Sequence, residues 1–105
     1  MSNPFAAIAS DKAFKLIEIT AEFSNLDVET FCTSREAPVF LARATAMWIM
    51  RNHLGLSLNE IGRAFGRDHS TVINALRRAD EMMSAFSMMR DLKDQIMVKL
   101  NKSMP

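Results

Sequence analysis

With 105 residues, 49% hydrophobic and 24% charged, and only 3 Gly and 3 Pro, the chain has the composition of an ordinary folded protein, which excludes a disordered tail or a collagen-like rod. Its formal charge of +1 is unevenly spread: residues 1–34 set two Lys against five acids, residues 35–78 set seven Arg against three acids, and the remainder cancels. The lone Cys32 cannot close an intramolecular disulfide, the opening lacks a secretion signal, and no apolar run approaches the roughly 18 residues of a membrane helix, so the expectation is a cytoplasmic protein without a membrane partner.

Apolar residues recur at spacings of three and four almost throughout, and period-two runs are missing, so the fold class expected is all-α. A first helix is expected after Ser10, with Asp11 in its first turn and Phe14, Leu16, Ile17 and Ala21 facing inward, ending near Ser24 and Asn25. A short helix capped by Asp27 follows, then a loop from Thr33 to Pro38. Pro38 suits the first turn of a central helix that carries Leu41, Thr45, Trp48, Ile49 and Met50 and stops before Gly55.

Ser57-Leu58-Asn59-Glu60 is a capping box, in which the Ser hydroxyl and the Glu carboxylate each take an orphan amide of the first turn. The helix it opens buries Leu58, Ile61 and Phe65, exposes Asn59 and Arg63, and breaks at Gly66. Asp68 caps the next helix, from His69 to about Met83, with Val72, Leu76 and Ala79 toward the core. A last amphipathic helix is expected over about residues 86–102, with Met89, Leu92, Ile96 and Leu100 on one side. The pairs Met82-Met83 and Met88-Met89 before and within it read as core packing or a dimer contact. The whole chain, 1–105, is read as one helical domain with a helix-turn-helix at 57–83.

A helix-turn-helix needs a short helix, a tight turn and a second helix whose first residues meet base edges. Ser70, Thr71 and Asn74 share one side near the start of the second helix, and their small hydroxyl and amide groups allow close approach to double-stranded DNA. Arg63 and Arg67 flank the turn where phosphates would run, His69 can donate to a phosphate, and Arg78 and Arg77 stand toward the far end. Asp68 brings a negative charge that its capping role explains, and its carboxylate can also accept from a cytosine amino group.

The string LARATAMWIMRNHLGLSLNEIGRAFGRDHSTVINALRR resembles the C-terminal DNA-binding domain of the bacterial replication initiator DnaA. The resemblance implies a helical bundle similar to Trp repressor. It further implies that Asp68, His69, Ser70 and Thr71 read the major groove, that Arg43 contacts phosphate, and that a loop before the central helix enters the minor groove. Three departures stand out. Phe65-Gly66-Arg67 carries one glycine where the family usually has two, so the turn is a residue shorter. The basic loop is reduced to Arg35 beside Glu36. A phosphate loop of the form G-x-x-x-x-G-K-S/T is missing from the 105 residues, so the expectation is a stand-alone DNA binder that is not an enzyme and binds no nucleotide or other cofactor.

Neither His53, His69 nor Cys32 shows metal-ligand spacing, so no metal site is expected. The resulting reading is sequence-specific binding to double-stranded DNA, with a role in regulating transcription or replication initiation. A rival keeps the fold as a protein-interaction or dimerisation module that has lost DNA binding, motivated by the depleted loop, the acidic first third and the Met-rich turn. The first and last helices are candidate homodimer surfaces, a question the sequence leaves open.

Overall fold

The computed structural model describes residues 4–103, with side chains from Asp11 onward. Six helices follow in order: α1 (Pro4–Phe23), α2 (Val28–Thr33), α3 (Ala37–Asn52), α4 (Leu58–Phe65), α5 (His69–Ala85) and α6 (Ser87–Ser103), and the described residues include no strand. None of these helices is long and apolar enough to cross a membrane.

Helix α1 begins at Pro4, earlier than the expected start after Ser10, because a proline at the first helical position loses no needed hydrogen bond and has its φ already set. Its buried line runs through Ala13, Leu16, Ile17, Thr20 and Ala21. Phe14, expected inward, is 57% exposed, because the core-facing stripe is centred on the other side of Ile17. Thr20 tolerates full burial by donating its hydroxyl to the Leu16 carbonyl at 2.8 Å. The helix closes with Asn25 at φ 57°, whose amide and that of Leu26 donate back to Glu22 and Ala21.

Helix α3 is the central strut and packs against every other helix. Ala44, Ala46, Met47, Ile49 and Met50 are essentially buried, while Leu41 and Trp48 are half-buried at its edges. The helix ends at Asn52, and Gly55 takes the left-handed conformation that lets the chain reverse into α4. The Trp48 indole N–H donates to Asp80 Oδ1 at 2.7 Å, tying α3 to α5.

Helices α1 and α6, the candidate dimer surfaces, pack on each other and on the core, with Ile96 and Leu100 of α6 buried. The methionines of the α5–α6 turn divide: Met83 and Met89 are buried, Met82 is half-buried and Met88 is 78% exposed. Arg90 covers the end of α5 by donating to the Met83 carbonyl at 2.6 Å. One hydrophobic cluster joins α1, α2, α3, α4, α5 and α6, so α5 stands on a continuous core.

Candidate nucleic-acid interface

The interface is built from α4, a turn and α5. Both halves of the Ser57–Glu60 capping box are present: Glu60 N–H donates to Ser57 Oγ at 3.1 Å, and Ser57 N–H donates to Glu60 Oε1 at 3.0 Å. These hydrogen bonds, the one from the Ser57 backbone first, hold the Glu60 carboxyl below the usual range. Ile61 and Phe65 anchor α4 in the core, and Asn59 and Arg63 stay exposed.

Helix α4 ends in a Schellman motif. Arg67 N–H donates to the Gly62 carbonyl at 2.8 Å, Gly66 N–H donates to Arg63 at 3.4 Å, and Gly66 sits at φ 65°. Asp68 then caps α5 at once, accepting from Thr71 N–H at 2.8 Å. The single glycine is therefore enough to complete the turn. Hydrogen bonding from Thr71, by its backbone foremost, pushes the Asp68 carboxyl down and keeps it ionised.

Gly62 is a residue that the sequence reading passed over. A Cβ there would lie 2.6 Å from the Arg67 carbonyl oxygen, so any larger residue pushes the turn away from α4. The clue was available: glycine inside a helix costs roughly 1 kcal/mol against alanine, so one sitting between Ile61 and Arg63 calls for a packing reason.

The ten candidate residues fall into four groups. His69, Ser70, Asn74 and Arg78 are exposed on α5, with Asp68 exposed at its start and Arg63 exposed on α4. Ser70, Asn74 and Arg78 recur every four residues, which draws them into one outward stripe that also includes Arg77. Arg35 is exposed in the loop between α2 and α3. Thr71 is half-buried at the edge of the stripe, where it lines a cavity of about 120 Å³ with Phe40, Arg43, Ala44, Met47, Arg67 and Ala75.

Arg43 and Arg67 stand apart from the others. Arg43 is only 6% exposed and donates through Nη1 to the carbonyls of Phe31 at 3.0 Å and Ser34 at 2.7 Å. Half-buried Arg67 donates through Nη2 to the Cys32 carbonyl at 2.8 Å. Both guanidinium groups thus face the end of α2 in this structure; the resemblance implied a phosphate contact for Arg43, and Arg67 was expected to flank the turn where phosphates would run. No local pattern marks that pairing, because 35 residues separate Arg67 from Cys32.

Residues 14–79 match the family described as the bacterial dnaA protein helix-turn-helix. The chain is 41% identical over 70 residues to the chromosomal replication initiator protein DnaA of Tropheryma whipplei (strain Twist), a match covering 66% of this chain and 15% of that protein. It is 31% identical over 101 residues to the DnaA of Picosynechococcus sp., covering 94% of this chain and 22% of that one. The fold superimposes on a crystallised DNA replication initiation factor with TM-score 0.75 at 32% identity, covering 88% of this chain and 30% of the other. It also superimposes on a replication initiator DnaA bound to AMPPCP and single-stranded DNA, with TM-score 0.74 at 32% identity, over 90% of this chain and 30% of that one. The chain therefore spans less than a quarter of the curated relatives described here. The family match extends from α1 through the outward stripe of α5, taking in the capping box, the Gly66 turn and the Asp68 cap, and on that basis the chain belongs to the bacterial DnaA helix-turn-helix family.

Proposed function

We propose that the chain binds double-stranded DNA sequence-specifically, with the first half of α5 in the major groove. The observation that carries this reading is the outward polar stripe of Ser70, Asn74, Arg77 and Arg78, displayed on a DnaA-type helix-turn-helix that has its apolar residues buried behind it. Asn74 is suited to pair with adenine, Ser70 and Thr71 to reach base edges, and His69 and Arg63 to hold phosphates on either side. Ionised Asp68 can accept from a cytosine amino group while it caps the helix. Arg35 is the cation that the α2–α3 loop can offer to an adjacent minor groove. The relatives are named as chromosomal replication initiators, so a role at replication origins or in regulation beside them, within the cytoplasm, follows the same reading.

Fluorescence anisotropy of labelled duplexes over a salt series tests this. Selected sites are expected to bind at least about a thousandfold more tightly than random duplex. Asn74→Ala is expected to cost about 1–3 kcal/mol on the selected site and little on random duplex. Arg63→Ala should weaken both and lower the slope of log affinity against log salt by about 0.9. Lack of binding to any duplex at about 50 mM salt, where phosphate contacts are strongest, would overturn the reading.

A further inference from the structure

Two arginines converge on the end of α2. Arg43 holds the Phe31 and Ser34 carbonyls, and Arg67 holds the Cys32 carbonyl. Among the described residues neither guanidinium is paired with a carboxylate, since the ion pairs there all belong to lysines. Their counter-charge is instead the negative end of a helix, three carbonyls that have no partner within α2. Burial and the nearby Arg67 charge both lower the Arg43 pKa, so the two cations sit close together in spite of their repulsion, which the carbonyls offset. Pulling Arg43 away would leave the buried Phe31 carbonyl without its donor, an expensive exchange.

The backbone of Arg67 is fixed as firmly as its side chain. Its N–H closes the Schellman motif on Gly62, its carbonyl packs where a Cβ of residue 62 would stand, and the next residue is the cap of α5. A single residue thereby joins the end of α4, the start of α5 and the end of α2. Beyond that end comes Ser34, held by Arg43, and then Arg35.

We propose that Arg67, assisted by Arg43, is a positioning residue that keeps its grip on α2 in the DNA complex and sets the Arg35 loop relative to the reading helix, instead of binding phosphate. This rests on the DNA-binding reading above. The test pairs salt-dependent affinity with hydrogen exchange of the α2 amides, using selected duplex as the probe. For Arg67→Ala, affinity is expected to fall about tenfold while the salt slope stays that of wild type, and the amides of Phe31 and Ser34 should exchange faster in the free protein. A salt slope reduced by about 0.9 would identify Arg67 as a phosphate ligand and overturn the proposal. Unchanged exchange in α2 would overturn it equally.

Wild-type protein supplies an arm that does not depend on the variant folding. Adding duplex should leave α2 as protected as before or more so, whereas faster exchange in the complex would mean that the arginines leave the carbonyls for DNA, against the proposal. Wild type that binds no duplex fails the DNA-binding reading and with it this proposal's account of the complex, while exchange in free Arg67→Ala separately reports whether the clamp exists.

Discussion

The helix-turn-helix and the α2 segment meet at Arg67 but are held by opposite kinds of interaction. In the helix-turn-helix the partners are near neighbours: Ser57 with Glu60, Gly62 with Arg67, Asp68 with Thr71. The end of α2 is held from a distance, by Arg43 across 12 residues and Arg67 across 35. A locally specified turn can take shape before the rest of the fold, because closing a short loop costs little entropy. Helix α2, six residues long, is too short to persist alone and depends for its place on packing against α1 and α3 and on the Phe31–Phe65 contact with α4. Helix α5 thus starts from a frame of its own, whereas the Arg35 loop takes its position from the packed core.

The largest effect should come from removing the apolar anchor of the remote region. Phe31 is fully buried and meets Phe65 at 6.3 Å between ring centroids, joining α2 to α4. Phe31→Ala is expected to cost about 3–5 kcal/mol in urea unfolding. A loss below about 1 kcal/mol would show that α2 contributes little to the fold, and the contrast between the regions would then be one of stability as well as origin.

Gly62→Ala strikes the local region next, and its sign is informative. Elsewhere in a helix, glycine to alanine stabilises by about 0.5–1 kcal/mol. Here the new methyl meets the Arg67 carbonyl oxygen at 2.6 Å, so a loss of about 1–3 kcal/mol is expected, accompanied by weaker DNA binding because the start of α5 must shift. Stabilisation by this substitution would mean that the turn has slack. Ser57→Ala, which deletes one arm of the capping box, should cost about 1 kcal/mol and leave the specificity of DNA binding unchanged. A change in specificity would show that α4 sets the angle at which α5 meets DNA.

The same contrast explains what the sequence made legible. The capping box, the Gly66 turn and the Asp68 cap are each encoded within six residues, and the structure has all of them. Burial on α5 followed its periodicity in outline, with Val72 and Ala79 buried and Leu76 half-buried. Phe14 misled because hydrophobicity alone does not say which edge of α1 faces the core. Arg43 and Arg67 were harder still. An arginine beside a helix-turn-helix looks alike in sequence whether or not it reaches a distant carbonyl, and only the folded position of α2 reveals the contacts with Phe31, Ser34 and Cys32. Gly62 was legible in principle, but the atom that requires it belongs to a residue five positions away on the other side of the turn.

The smallest effect expected is a pH dependence confined to the local region. The carboxyls of Glu60 and Asp68 are both held below their usual range by hydrogen bonds that favour the charged form. A carboxylate whose pKa is lower in the folded state adds stability above its unfolded value and loses it as the pH falls through the folded one, so both contributions should fade below about pH 4. Asparagine caps helices as well as aspartate does, and glutamine can replace glutamate in a capping box. Asp68→Asn with Glu60→Gln should therefore keep the architecture at pH 7 while reducing the difference in urea midpoint between pH 7 and about pH 3.5. Because Asp68 is exposed and Glu60 only partly covered, the stability involved should be smaller than the loss from Ser57→Ala. An undiminished difference in the double variant would place the acid sensitivity outside the helix-turn-helix and weaken the view that its caps act as charged groups.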